Sequence, residues 1–564
     1  MPRISQRKLL VAFVAAGVVS GLAAVLFHEW IVVSRSLLFD RVFALGAVPR
    51  SILIIVIPTL VAAALGWTVQ RFAPAALGAN LARVRRGYAE DVSHLDGRTI
   101  FATFALTPLS LGSGAPLGPE GPTVVVTSGL SVAVARAFGL PRRMWRGMIP
   151  VGTAAGIAAI FRTPITGVVF ALEELSGTSS RSLLGGTLIA AVAAAVVQQV
   201  ASPDHARILP ASAASWNDPR ELIGFAVVGI CAGLISGAVL RLGGVLRDRV
   251  RTLMPSIPLR FAIGGAAVGL LGVLNPTMLG VGYQTTSLFL TGGGSLGVAA
   301  GALGTKIAGF IIAVAAGLLG GTFAPSLFIG SALGSLVGFA GAMVLPGPIN
   351  VGAYALVGMG AYFAGTLRAP IAAVLIVLEL TNDYGLIIPL MLGVVLANTI
   401  SHALAPRTLE EEQLEHEGVR EVRRAHDPLA SLRVRDVMST NLLMFEPETS
   451  IAEVIERTSV VRHHDYPIVD REGRLVGLLP GHEIARCFRL GTLDEAVGAL
   501  APMPGTVALE DEPLHDLLSR MAQVAAERSV VVDGNGVVKG FVSPSDLVRA
   551  RFREHRTADD DTLS

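Results

Sequence analysis

The chain changes character once along its length. From about residue 9 to residue 404, apolar stretches alternate with short polar breaks, and between Arg260 and Arg368 the only charged side chain is Lys306. About 20 apolar residues span the hydrocarbon core of a bilayer, and backbone polar groups there must bond within the protein, so this pattern predicts repeated membrane-crossing helices. After Leu404 the pattern reverses. "APRTLEEEQLEHEGVREVRRAHDPLASLRVRDV" brings dense mixed charge, and beyond it short apolar runs divided by Asp- and Gly-containing turns predict strands and short helices.

The N-terminal stretch "MPRISQRKLLVAFVAAGVVSGLAAVLFHEWIVV" begins with the basic start and apolar run of a secretory signal. The run continues past Ala24 without a small-residue cleavage site, which makes it the first membrane helix. Arg3, Arg7 and Lys8 predict a cytoplasmic N-terminus, and Arg142, Arg143 and Arg146 a second cytoplasmic turn.

Composition agrees. The 564 residues are 52% hydrophobic and 16% charged, with a mean hydropathy of +0.61, which excludes an ordinary soluble protein. A net charge of +2 gives no reason to expect a nucleic-acid partner. Cys231 and Cys487 fall in different regions and predict no disulfide, and no His/Cys/Asp/Glu grouping has metal-ligand spacing. The expectation is a protein of the lipid bilayer that is neither an enzyme nor a metal binder and needs no cofactor.

Both parts repeat internally. In the membrane part "RTPITGVVFALEE" from Arg162 aligns with "RAPIAAVLIVLEL" from Arg368, and "GPEGPTVVVTSGL" from Gly118 with "GTFAPSLFIGSAL" from Gly321. Two matches in one order at nearly one spacing predict a duplicated domain, with its site where the halves meet. In the polar part "YPIVDREGRLVGLLPGHEI" from Tyr466 aligns with "SVVVDGNGVVKGFVSPSDL" from Ser529, pairing Asp470 with Asp533 and Gly477 with Gly540.

The Gly-Pro elements "GPEGP" and "GTFAP" read as helix starts, because glycine turns freely and proline loses no hydrogen bond at a first turn. Two such starts facing one point would offer unpaired amides and positive dipole ends to an anion without a full positive charge. Glu120 in "GPEGP" is then a carboxylate placed to compete for the same amides. Its counterpart in the second half is Phe323. Glu173 pairs with Glu379, so both halves keep a carboxylate there, suited to helix-end structure, whereas Glu174 pairs with Leu380.

"GPEGPTV", "GTFAPSLFIG" and "LELTNDYGLIIP", followed by paired repeats, resemble the CLC family of chloride channels and proton/chloride antiporters, over nearly the whole chain. The polar part, preceded by "VRDVMSTNLLMFEPETSIAEVIE", resembles a tandem pair of CBS domains. The resemblance implies an all-α polytopic membrane domain of two inverted repeats over 1–404, a charged linker over 405–431, a cytoplasmic α/β tandem CBS domain over 432–552 and a disordered tail over 553–564. It also implies a homodimer with one pore per subunit that moves chloride and protons.

Carried over to this sequence, the resemblance makes Glu120 the external gate and proton carrier and Glu174 the internal proton acceptor, a residue that favours exchange over passive conduction. Anion contacts would come from Gly118, Pro119, Gly121, Thr322, Phe323 and Ala324, with the Tyr384 hydroxyl at the centre of the pore. Pro119 stands where the family usually has arginine. The family's serine motif is replaced by "GANLA", with Ala79 at the serine position and Asn80 beside it as an alternative amide donor. Chloride is therefore the first expectation for the anion, with fluoride, nitrate and passive channel behaviour left open. In the CBS pair, Ser543 and Asp546 of "GFVSPSDL" fit an adenine-nucleotide (ATP or AMP) site, whereas the first repeat has Pro480 and Glu483 there.

Overall fold

A computed structural model describes the chain apart from residues 1–5, 79, 177–180, 203–218, 345–348, 382–383, 418, 420–431, 459–464, 502–505, 525, 527, 548 and 551–564. The expected tail at 553–564 lies outside the described residues. Two compact units are present, Met1–Arg423 and Arg424–Ser564.

The first unit is helical. Its first half contains α1 (Gln6–Phe43), α2 (Ala47–Phe72), α3 (Leu81–Ala89), α4 (Gly97–Gly112), α5 (Glu120–Ala137), α6 (Arg142–Trp145), α7 (Met148–Phe161), α8 (Pro164–Ala171) and α9 (Arg181–Ala201). The second contains α10 (Glu221–Leu253), α11 (Ile257–Leu274), α12 (Tyr283–Leu290), α13 (Leu296–Ala316), α14 (Phe323–Val344), α15 (Val351–Leu367), α16 (Pro370–Thr381), α17 (Ile387–Leu404) and α18 (Leu409–His416). Among the described residues eight helices are long and apolar enough to cross a bilayer. The multi-pass membrane domain expected from hydropathy is therefore present.

Two shorter helices, α7 and α15, sit inside this shell. Every residue of α7 is buried, and every residue of α15 except Val351. They are rich in Gly and Ala, which lets helix backbones approach closely where lipid supplies no hydrophobic drive. A side chain at Gly358 would place its first carbon 2.3 Å from the Gly330 carbonyl oxygen, so α14 and α15 meet there only through glycine.

The duplication is visible in the backbone. Among the described residues only two non-glycine positions have positive φ, Arg162 at 57° and Arg368 at 60°. They are the two arginines aligned by the sequence repeat, and each closes the C-terminus of its helix, α7 or α15, ahead of a proline-led one.

The charged stretch after Leu404 begins in contact with the helical unit. Arg247 of α10 donates to the Leu409 carbonyl at 3.1 Å and to Glu412 Oε2 at 2.9 Å. Thr408 and Glu411 form a reciprocal capping box that starts α18. The front of the charged segment thus packs on the membrane unit, where Arg247 holds the Leu409 carbonyl and the Glu412 carboxylate.

The second unit is α/β. It opens with α19 (Val434–Val437) and α20 (Ile451–Thr458), followed by β1 (Asp465–Val469), β2 (Leu475–Pro480) and α21 (Gly481–Leu490). Then come β3 (Val507–Leu509), α22 (Leu514–Gln523), β4 (Ser529–Val532) and β5 (Val538–Val542). β1 and β2 pair antiparallel, and β4 lies between a parallel β3 and an antiparallel β5. The aligned aspartates close equivalent turns: Asp470 Oδ1 accepts from the Glu472 and Arg474 amides, and Asp533 Oδ1 from the Asn535 and Val537 amides. The two turns also bond each other, Leu475 N to Gly536 O at 3.1 Å and Val538 N to Gly473 O at 3.0 Å.

Candidate functional site

The two Gly-Pro motifs meet through their backbones. Gly118 donates to the Gly321 carbonyl at 2.8 Å and Gly321 donates back to the Gly118 carbonyl at 2.7 Å, forming an antiparallel bridge. Immediately beyond it α5 begins at Glu120 and α14 at Phe323. The prolines expected at the first helical position, Pro122 and Pro325, stand third in their helices, still within the turn whose amides have no helical partner. Pro119 is the residue capping α5.

The carboxylate of Glu120 lies across these starts and is fully buried. Its Oε2 accepts from the Ala324 amide of α14 at 3.2 Å, and its Oε1 accepts from the Tyr283 hydroxyl at 2.8 Å. A side chain at Gly118 would place its first carbon 2.3 Å from Glu120 Oε2, so glycine is required for the carboxylate to sit there. Glu120 thus fills the position at the α14 N-terminus that the sequence suggested for an anion.

A cavity of about 20 Å³ adjoins the carboxylate, lined among others by Asn80, Gly121, Thr322, Phe323 and Glu410. Phe323 packs on Phe161, Phe170 and Phe363, with ring centroids 5.2, 5.7 and 4.4 Å away, which makes one wall apolar. A larger cavity of about 520 Å³ is lined by Arg247, Arg251, Arg260, Leu77 and Gly78. Asn80, Thr322 and Glu410 line both.

Asn80 is held in place by two hydrogen bonds. Its Oδ1 caps α3 by accepting from the Ala82 amide at 3.1 Å, and its Nδ2 donates to Gln413 Oε1 at 2.9 Å. Ala79 lies outside the described residues.

The remaining glutamates separate as the repeat suggested. Glu173 accepts from the Ile371 and Ala372 amides at the start of α16, and Glu379 accepts from the Ile165 and Thr166 amides at the start of α8. Each carboxylate caps a helix of the other half. Glu174 is buried and forms an ion pair with Arg85, which also approaches Glu411 at 3.6 Å.

Tyr384 does not supply a hydroxyl to the cavity. It follows the C-terminal end of α16, in the connection to α17, and is 73% exposed. The hydroxyl at the site belongs to Tyr283, which begins α12 after Gly280 and Gly282, both with positive φ. Sequence reasoning missed Tyr283, Glu410 and Arg85. A polar aromatic behind paired glycines in a nearly charge-free stretch was the available sign for the first, and the threonine-led capping pattern of "TLEE" for the second.

In the C-terminal unit Ser543 and Asp546 line a cleft of about 790 Å³ with Ser439, Asp465, Arg528 and Arg549. Asp546 Oδ2 accepts from the Ser543 amide at 2.9 Å and hydroxyl at 2.5 Å, while Oδ1 accepts from the Ser439 hydroxyl at 2.6 Å and from Arg549. Burial acts to raise the Asp546 pKa, but the hydrogen bonds from Ser439, Ser543 and Arg549 outweigh it and hold the group below the ordinary carboxylate value. In the first repeat Glu483 pairs instead with Arg486 at 3.0 Å.

The family described as voltage gated chloride channel matches residues 59–402, and the CBS domain family matches 434–489 and 504–553. The voltage-gated ClC-type chloride channel ClcB of Escherichia coli O81 (strain ED1a) is 32% identical over 297 residues, covering 52% of this chain and 71% of that protein. A slow cyanobacterial Cl⁻/H⁺ antiporter superposes with TM-score 0.65 at 22% identity, covering 73% of this chain and 99% of the other. A eukaryotic CLC transporter gives 0.63 at 18% identity over 96% and 98% of the two chains. A CLC-type fluoride/proton antiporter gives 0.61 at 21% identity over 72% and 98%.

Proposed function

Because the chain belongs to the voltage-gated chloride channel (CLC) family and carries a C-terminal CBS pair, we propose that it is a proton-coupled chloride antiporter gated by Glu120. The observation that carries this reading is the Glu120 carboxylate on the Ala324 amide, at the point where the two repeats join. An anion and this carboxylate compete for one helix end. Protonation removes the carboxylate's charge and with it the preference for the amide, so binding of a proton and release of the site to an anion are the same event. Tyr283 steadies the closed position from the other oxygen.

Glu174 is the proposed inner proton acceptor, held by Arg85 until the exchange cycle reaches it. The N-terminal side is proposed to be cytoplasmic from Arg3, Arg7 and Lys8. Two long helices, α1 and α2, return the chain to that side before Leu77 and Gly78, so the arginine-lined cavity opens toward the cytoplasm as a vestibule. The CBS unit is assigned to the same compartment, with an adenine nucleotide in the cleft beside Ser543 and Asp546. A homodimer with one path per subunit is the proposed assembly.

Fluoride is the second reading for the anion, because Ala79 stands at the position of the family's serine and offers no side-chain donor. Reconstituted protein under a chloride gradient should drive protons uphill, and Glu120→Gln should abolish proton movement while leaving anion flux. Chloride flux at constant pH sinks the antiport reading, and the same assay with fluoride and nitrate assigns the anion.

A further inference from the structure

The vestibule and the small cavity beside Glu120 share three lining residues, Asn80, Thr322 and Glu410. They form a neck. Asn80 is fixed there by its two hydrogen bonds, to the start of α3 and to Gln413. Thr322 is fixed by the Gly118–Gly321 bridge next to it and by the start of α14. Glu410 is the charged member: its side chain accepts from Thr322 Oγ1 at 2.8 Å, and the residue is 4% exposed.

The setting of Glu410 is built rather than incidental. α18 is anchored by Arg247, which holds the Leu409 carbonyl and Glu412, and Gln413 on the same helix clamps Asn80. The neighbouring cations have other direct partners: Arg85 pairs with Glu174 and Glu411, although its charge also acts on Glu410, Arg247 pairs with Asp248 and Glu412, and Arg260 donates to the Ala316 carbonyl. Arg251 lines the vestibule beyond. What Glu410 accepts at the neck is a hydroxyl, a donor equally suited to a passing halide.

We propose that Glu410 is a second, inner gate: its carboxylate occupies the Thr322 hydroxyl at the neck, and an anion from the vestibule reaches the Glu120 cavity only when Glu410 gives up that hydrogen bond. This rests on the transport reading of the same path and adds a step to it. Two carboxylates then bracket the 20 Å³ cavity, Glu120 on the Ala324 amide and Glu410 on the Thr322 hydroxyl. Anions gathered by the vestibule arginines meet a negative charge at its exit, so entry is slow until that charge moves aside.

The test is anion efflux from proteoliposomes containing full-length wild type, Glu410→Gln, Glu410→Asp or Thr322→Val. Glu410→Gln keeps the size and removes the charge. Flux should rise about tenfold and the half-saturating vestibule-side chloride concentration should fall, the effect of losing one charge-assisted hydrogen bond at a barrier. Thr322→Val should act in the same direction, and Glu410→Asp, which keeps the charge but draws it back from Thr322, should give a smaller rise than Glu410→Gln. Equal flux and half-saturation for wild type and Glu410→Gln overturns the gate. So does a fall in flux in both Glu410→Gln and Thr322→Val when each elutes as the intact protein, since Glu410 would then assist passage. Proton movement recorded in the same vesicles tests antiport separately: its absence in wild type defeats the antiporter, while the flux comparison still decides Glu410.

Discussion

Glu173 and Glu379 cap reciprocal helices, each accepting from the start of the helix at whose C-terminal end the other sits. Glu379 sits at the end of α16 and accepts from the first amides of α8, while Glu173 follows α8 and accepts from the first amides of α16. This mutual arrangement joins the halves without contributing a titrating group to the cavity. Replacing either by alanine should cost about 1–2 kcal/mol, the range for loss of a helix-capping side chain. Thermal unfolding of purified protein should therefore shift downward for both variants, with proton-to-anion stoichiometry unchanged.

Tyr283→Phe removes the hydroxyl on Glu120 Oε1 and nothing else at the site. A hydrogen bond to a charged group contributes about 1.5–3 kcal/mol, so the closed position weakens by that order. Anion flux at fixed pH should rise about tenfold. An unchanged flux would mean that Tyr283 serves packing alone.

Lys306 is fully buried and donates to the carbonyls of Met278, Gly280 and Val281, with its charge over the Phe328 ring. Those carbonyls belong to the loop that delivers Tyr283 to Glu120. Lys306→Met leaves them unpaired at a cost of about 3 kcal/mol or more. The unfolding temperature should drop, and the surviving protein should show the raised flux of Tyr283→Phe.

Asp546 links the C-terminal unit to acid. Its folded pKa lies below the ordinary value, so its stabilising contribution is complete above the unfolded pKa of about 3.9 and is lost as pH falls through the folded value. Hydrogen exchange of full-length protein should show protection around Ser439 and Ser543 declining below about pH 4. Asp546→Asn should be less protected at pH 7 and show less of that acid-dependent loss.

Much of this architecture was legible because it is written in residue types with strong backbone consequences. The Gly118/Gly321 and Arg162/Arg368 alignments locate the meeting point and the paired left-handed turns, since repeated motifs at repeated spacing constrain the backbone whatever surrounds them. Asp470 and Asp533 were equally plain, each closing the same turn. Tyr384 misled because its motif is local, whereas the approach of a hydroxyl to Glu120 depends on tertiary packing, which brings Tyr283 from a sequence distance of 163 residues. Glu410 was hidden for a related reason. A run of acids after the last long apolar helix reads as a solvated linker until the arginine that receives it, Arg247, is seen to lie on α10.

The glycine bridge between the two halves treats them alike, donating and accepting in both directions, yet the side chains next to it are a carboxylate on one side and a phenyl ring on the other. Backbone symmetry therefore supplies two equivalent helix starts, and the side chains alone decide that only one of them, α5, opens on an acid.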